Sequence, residues 1–359
     1  MTNSIKNKST SGDYSVKTLP LVRNEPAHNS IDLTIPADYA GLRLDQALAK
    51  LLPNWSRSRL QTWITENRVI LDGQISTIKQ KVWGNEHVQI SPHNTIAESA
   101  YLAEDINLNI IHEDDAIIII NKPAGLVTHP GNGNWQGTLL NALLHHAPQL
   151  ENVPRAGIVH RLDKNTSGLL VVAKTIEAQT NLVRQLQQHT VKRDYLALVL
   201  GEVKQDGIVD APIGRHPIHR TKMAVTTKGK PARTHYRVIE TFTGCTLLQC
   251  SLETGRTHQI RVHMNSIGHS LVGDPVYGGK PGKTGQVIGQ LLISFPRQAL
   301  HAQKLALAHP ETEQILGWEA AIPEDLNNLL HLLQQHSKSE IDRAGGEVTP
   351  AASMNLFKN

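Results

Sequence analysis

Gly157-Ile158-Val159-His160-Arg161-Leu162-Asp163-Lys164-Asn165-Thr166-Ser167-Gly168-Leu169-Leu170-Val171-Val172-Ala173-Lys174 sets a polar, glycine-bounded turn between two apolar segments. Leu169 to Ala173 reads as a strand. A chain reversal from Lys164 to Gly168 pushes Asp163 out of the hydrophobic layers while those layers hold its backbone in place, the usual way a scaffold presents a reactive group. Arg161, two residues earlier, points to the same side if the pleat persists. The pair is a candidate unit: a carboxylate acting as nucleophile or base, and a cation that handles substrate. The plainer alternative is an Asp163 that caps its own turn through the amide of Thr166 or Ser167.

Outward from this turn, Ile117 to Ile120 is a buried-strand candidate ending at Asn121-Lys122-Pro123, and Gly125, Gly131 and Gly133 mark the loop beyond it. Further strands are predicted at Tyr195 to Leu200, His235 to Glu240, Leu247 to Leu252 and Ile260 to His263. Thr138 to His145 and Thr175 to His189 carry helical periodicity. Strands outnumber helices and come in clusters rather than in strict alternation. An α+β fold follows, with a largely antiparallel mixed sheet flanked by helices, in preference to a doubly wound sheet.

A chain of 359 residues exceeds the usual single domain. Residues 1–30 and 336–359 read as flexible tails. Between them stand a small module at 31–91, a polar linker at 92–105 and a larger domain at 106–335. In the module, Leu44, Ala47, Leu48 and Leu51 follow helical spacing. Ser56 stands at the N-cap of a second helix that separates the basic face of Arg57 and Arg59 from apolar Leu60, Trp63 and Ile64. Val69-Ile70-Leu71 then meets an Asp72-Gly73 turn, the start of a small β-layer. From Gly41 to Ile90 there are seven Lys or Arg against four Asp or Glu.

Hydrophobic residues make up 39% and aromatics 4%, which suits an aliphatic mixed fold and argues against wholesale disorder. Cys245 and Cys250 sit in one strand-like run facing opposite sides, as core residues of a reducing compartment. No apolar stretch is long enough for a bilayer span, so the cytoplasm is expected. The formal charge is only +4, but between Arg215 and Arg237 lie seven Lys or Arg, Arg220 and Lys222 among them, with no Asp or Glu. Such a block repels itself unless a polyanion lies against it, and phosphate backbone fits better than a merely solvated loop.

A second constellation is Glu253-Thr254-Gly255-Arg256-Thr257-His258-Gln259-Ile260-Arg261-Val262-His263. Gly255 allows a tight turn, and Arg256 offers a planar fork to a carboxylate. If Arg256 meets Asp163, the nearby cation keeps that carboxylate ionised in a partly dry pocket. An ordinary strand-tying salt bridge is the alternative. Tyr195, opening a strand after Lys192-Arg193-Asp194, is either a base-stacking or proton-handling phenol or a core residue with a satisfied tip. His258 and His263 lie five apart, which fits neither a helical i,i+4 pair nor the H-E-x-x-H spacing, and Gly131-Asn132-Gly133 lacks the Gly-Lys-Ser/Thr of a P-loop. No metal and no nucleotide cofactor is expected.

In order, Leu44-Asp45, Ser56-Arg57-Ser58-Arg59 and Val69-Ile70-Leu71-Asp72-Gly73 resemble the S4 RNA-binding module. Asn121-Lys122-Pro123-Ala124-Gly125-Leu126, His160-Arg161-Leu162-Asp163, Tyr195-Leu196-Ala197 and Gly255 to His263 together resemble the RluA-type pseudouridine synthases, over about residues 32 to 330. Ser167 departs slightly, standing where a Thr is common. The resemblance implies the pseudouridine synthase fold and cleavage of the N1–C1′ bond of uridine, rotation of the base and joining of C5 to C1′, without cofactor or metal. It implies that Asp163 is the essential aspartate, Tyr195 the active-site tyrosine and Arg256 the carboxylate's ion-pair partner. Arg161 would fill the space of the displaced base, Ile260 would pack beneath the uracil, and His160 would join them in substrate binding. The implied partner is large-subunit ribosomal RNA or a pre-ribosomal particle, with uridines of the helix 69 stem-loop as target and a monomeric enzyme as agent. Arg57, Arg59, Arg215, Arg220 and Lys222 would grip RNA backbone. The alternatives are a non-catalytic RNA-binding assembly factor, or the same chemistry on transfer RNA or another ribosomal site.

Overall fold

A computed structural model describes residues 30–53, 55, 57–92, 101–131, 134–282 and 284–344, with the side chains of 58, 59 and 338–344 outside that description. The expected tail at 1–29, the N-cap at Ser56, the side chain of Arg59, most of the linker and the chain end from 345 lie outside the described residues. Two compact units divide between residues 99 and 100.

The first unit runs β1 (Ile31–Thr34), α1 (Leu44–Leu51), α2 (Arg57–Thr65), β2 (Val69–Leu71), β3 (Gln74–Ile75) and β4 (His87–Ile90). Its sheet is antiparallel, in the order β1-β4-β2-β3. Asp72 and Gly73 both take positive φ, 48° and 76°, the backbone that a two-residue hairpin turn demands. Leu44, Ala47 and Leu48 of α1 meet Leu60, Trp63 and Ile64 of α2 over Val69, Val88 and Ile90, so the helical spacing read from sequence becomes one core.

The second unit continues with β5 (Ile110–Glu113), β6 (Ile117–Lys122), α3 (Leu139–His146), β7 (Ser167–Ala173), α4 (Ile176–Gln187), β8 (Lys192–Leu200) and β9 (Gly207–Asp210). Then come β10 (Ile213–Arg215), β11 (Met223–Val225), β12 (Arg233–Phe242), β13 (Cys245–Leu252), α5 (Gln259–Ser266), α6 (Gln286–Ser294), β14 (Leu300–Ala308), β15 (Ile315–Glu319) and α7 (Glu324–Ala344). A nine-stranded sheet takes the order β5-β6-β7-β14-β8-β13-β12-β9, with β15 on β14. Its described pairings are antiparallel except β7 with β14, as an α+β fold requires. Strand alternation sorts the side chains. Tyr195, Ala197, Val199 and Cys250 share one face with Leu139, Leu140 and Ile260, whereas Leu196, Leu198 and Cys245 share the other with Leu326, Leu330 and Leu333.

Two expectations need correction. Ile260 to His263 is not a strand but the first turn of α5. The alternation of apolar and charged residues imitates a strand, yet Gln259 to Met264 are all buried, so the segment shows no solvent face from which a helical period could be read. At the other end, α7 runs to Ala344, beyond the expected domain limit at 335. Among the described residues no helix is long and apolar enough to cross a membrane.

Candidate active site

The turn before β7 is closed by its backbone. The Thr166 amide donates to the Asp163 carbonyl at 3.0 Å, so the carboxylate is not consumed as a cap. Gly168 takes φ +115°, and a Cβ there would lie 2.2 Å from the Ala302 carbonyl, which is how the chain turns directly into its pairing with β14. Beneath the turn, the fully buried Lys122 donates to the carbonyls of Pro123 (2.9 Å), Leu126 (2.9 Å) and Lys164 (3.1 Å). Burial pulls its pKa down to about 7, with Asp163 acting in the opposite sense. Three acceptors engage three N–H bonds, which only the ammonium possesses, so the staple is the charged form.

Asp163 Oδ2 accepts from Arg261 Nη1 at 2.9 Å. The other edge of the same guanidinium clamps Asp274, Nε to Oδ2 at 2.7 Å and Nη2 to Oδ1 at 2.8 Å. Asp274 in turn accepts from the amides of Val276 and Tyr277. Burial alone would lower the Arg261 pKa, but the two carboxylates hold it above the ordinary guanidinium value. Burial alone would raise Asp274, and Arg261 with the two amides holds it below the ordinary carboxylate value.

The ion-pair partner expected from sequence is thereby corrected: it is Arg261, not Arg256. Helix α5 carries Arg261 inward, where its side chain is 5% exposed, while Arg256 precedes the helix and donates its Nε to the Pro231 carbonyl at 3.1 Å. Gln259 and Ile260 keep the local frame. The Gln259 amide oxygen accepts from the Arg256 amide, and its nitrogen donates to the Arg233 carbonyl.

His258 stands beside the pair in the left-handed region, φ 57°, with Nε2 3.9 Å from Asp163 Oδ1. Tyr277 accepts from the Met223 amide and has its single proton for His258 Nδ1, 2.8 Å away. The ring's own proton then sits on Nε2, facing the carboxylate. Burial lowers the His258 pKa and favours this neutral form.

A cleft of 1190 Å³ brings together His160, Arg161, Asp163, Tyr195, Arg256 and Ile260. That is room for a nucleoside with its flanking phosphates. Tyr195 and Ile260 are buried in its floor, and burial raises the Tyr195 pKa. Arg161 is exposed at its edge. His160 lines the cleft, but its Nε2 accepts from the Val171 amide at 3.2 Å and burial pushes its pKa down to about 3, so the ring buttresses β7 as a neutral acceptor. Sequence reasoning missed Arg261, Asp274 and Lys122 as parts of the site. Arg261 lay inside the quoted constellation, but nothing in linear spacing distinguished it from Arg256.

The basic block folds mainly as the β10–β11 hairpin and the start of β12. Arg215 donates to the Arg220 carbonyl, Arg220 is exposed, and Lys222 reaches the Val276 carbonyl at 3.0 Å, which ties the hairpin to the loop behind Asp163. Part of its charge is met within the chain, since Arg233 pairs with Asp210 at 2.6 Å and with Glu253 at 3.4 Å. In the first unit, Arg57 spends Nε and Nη2 on the fully buried Asp45, which also engages Arg43 and Gln61. Among the described residues no group of three or more His, Cys, Asp or Glu is placed to hold a metal ion.

Comparison with known proteins adds independent findings. The family profile described as RNA pseudouridylate synthase matches residues 116–266, and that of the S4 domain matches 42–88. Ribosomal large subunit pseudouridine synthase D of Nitrosomonas europaea is 59% identical over 96% of this chain and 99% of its own length. The protein of that name from Escherichia coli is 50% identical over 86% of this chain and 97% of its own. Among solved structures, human RNA Pseudouridylate Synthase Domain Containing 4 aligns with 63% of this chain and 93% of its own, at 25% identity and a TM-score of 0.50.

Proposed function

The chain belongs to the family of RNA pseudouridine synthases, and from that premise we propose that it converts uridines of large-subunit ribosomal RNA, in the helix 69 stem-loop, to pseudouridine. Supporting the ribosomal target are relatives named as ribosomal large subunit pseudouridine synthases, which match over 97–99% of their own length. The observation that carries the site assignment is the Asp163 carboxylate, 16% exposed in the cleft and held at 2.9 Å by Arg261.

The chemistry is an isomerisation. The N1–C1′ bond breaks, the base rotates, C5 bonds to C1′, the C5 proton leaves and N1 gains one. No electrons pass to an acceptor and no group passes between molecules, so the proposal includes no cofactor. A base inside a stem cannot rotate, so the nucleotide must leave its stack. In our reading Arg161 fills the vacated space, Ile260 and Tyr195 floor the uracil site, and Asp163 acts as nucleophile or base on the nucleoside. The guanidinium of Arg261 supplies the counter-charge of that carboxylate and fixes its orientation as the cleft dries around the base. The S4 domain, Arg220 and the other exposed cations of the β10–β11 segment contact phosphates away from the reacting centre and set register. The enzyme is proposed to act as a monomer in the cytoplasm.

The test has two arms. Pseudouridines are mapped in total RNA from cells with and without the protein, and loss confined to helix 69 is expected; loss at another site would replace the target. Purified Asp163→Asn is expected to bind RNA and form no pseudouridine, and persistent product would overturn the role of Asp163.

A further inference from the structure

One cation in the cleft is unexplained by the reaction just described. Arg193 lies two residues before Tyr195 on β8, on the same face of the sheet, and lines the same cleft. The residue is 7% exposed. Its guanidinium makes one described hydrogen bond, Nη2 to the Glu253 carbonyl at 3.2 Å, and its buried Nε has no partner. Burial lowers its pKa, and the only opposing influence comes from Tyr195, not from a carboxylate. An arginine stays charged in proteins, and a buried charge without a counter-charge is strongly destabilising. Arg261, in the same cleft, has two carboxylates around it, the counter-charges that Arg193 lacks.

Gly255 adds a second observation. Its φ is not in the left-handed region, so the tight turn expected from sequence does not explain the glycine. A Cβ at 255 would instead lie 2.8 Å from Arg193 Nη1. The end of the guanidinium occupies the space that a side chain at 255 would take.

Resting on the reading that this enzyme acts on RNA, we propose that Arg193 is a substrate-binding residue whose guanidinium takes a phosphate flanking the target uridine. The unpaired Nε and the second edge of the fork supply the donors, and the phosphate supplies the missing counter-charge. Binding the anion relieves a charge that the free enzyme holds unpaired, so the contact draws the flipped nucleotide inward rather than merely gripping backbone.

The test uses the full chain and a synthetic stem-loop carrying the uridine that mapping assigns to the enzyme, so a wrong choice of stem-loop changes only the oligonucleotide. Single phosphates on either side of that uridine are replaced by neutral methylphosphonates. Wild type is expected to lose about 10- to 100-fold in kcat/KM at one position, the range for a hydrogen bond to a charged group. Arg193→Met is expected to lose about as much on native RNA, to lose nothing further at that position, and to melt no lower than wild type because it removes an unpaired buried charge. Arg193→Lys is expected to retain the phosphate sensitivity at reduced affinity. The proposal is overturned if Arg193→Met remains as sensitive as wild type to every methylphosphonate, or if its melting temperature falls and activity drops equally on all RNAs, the mark of a structural role.

Discussion

Replacing Arg261 by Met tests the electrostatic core of the site. The side chains of Arg261, Asp274 and Asp163 are 5%, 0% and 16% exposed, so the guanidinium is the counter-charge of two carboxylates that water barely reaches. Without it Asp274 keeps the amides of Val276 and Tyr277, and Asp163 keeps the His258 ring at 3.9 Å and the more distant charge of Lys122. Removing one partner from a buried ion pair costs about 3–5 kcal/mol. For a unit of this size each kcal/mol moves the melting point by about 2–4 °C, so a fall of about 6–20 °C is expected in scanning calorimetry. Arg256→Met removes a single bond to a carbonyl and should change stability by no more than about 1 kcal/mol. The double variant Arg261→Met with Asp274→Asn removes the stranded buried charge and should recover part of the loss.

Activity is read by release of tritium from uridine labelled at C5, the hydrogen that must leave. Arg261→Met should lose at least about 100-fold in single turnover, because the carboxylate loses both its charge partner and its orientation. An Arg261→Met protein that melts with wild type, or an Arg256→Met protein that loses as much as Arg261→Met, would refute the assignment of the ion pair.

Three further outcomes are expected. For Asp114, burial alone would raise the pKa, but His112, the amides of Ile117 and Ala116, and His309 hold it down to about 2. A folded-state pKa below the unfolded value stabilises above the unfolded pKa and is lost as pH falls through the folded one. Asp114→Asn should therefore lose about 2 kcal/mol at neutral pH, and chemical denaturation should show the gap to wild type closing between about pH 4 and pH 2. Gly168→Ala would press a Cβ against the Ala302 backbone at a positive φ, and should lose about 4 kcal/mol or more; a variant melting within about 2 °C of wild type would contradict the geometry. Asp45→Ala strands Arg43, Arg57 and Gln61 around a vacated buried site, and should melt the first unit early while Asp163 chemistry on a short stem-loop survives, with calorimetry and tritium release separating the two.

The parts of this molecule legible in its sequence are those where one face is wet and one is dry. Leu44, Ala47 and Leu48 announce a helix because their neighbours meet water, and Asp72-Gly73 announces a hairpin because few residue pairs take two positive φ angles in succession. The Asp163 turn was legible for a related reason, a polar interruption between apolar segments. Helix α5 fails on the same criterion: with Gln259 to Met264 all buried, apolar and polar residues alternate without regard to exposure, and a period of two arises by accident.

The same segment holds the misplaced ion pair. Read as a strand, Ile260 to His263 sends alternate residues to opposite faces, which separates Ile260 from Arg261, so nothing in that reading sets Arg261 against Arg256, the residue just after the Gly255 turn. Read as a helix, successive residues differ by about 100°, and a segment buried all round can send Ile260 to the uracil floor, Arg261 to Asp163 and Asp274, and His263 to Thr234 and the Ala211 carbonyl at once. Each buried polar group on α5 has its own partner on a different element. Arg193 departs from that rule, since its Nε is orphaned on the cleft wall. The partners of buried polar groups, rather than periodicity, tell what α5 does, and they become readable only when residues 98 apart, such as Asp163 and Arg261, are seen side by side.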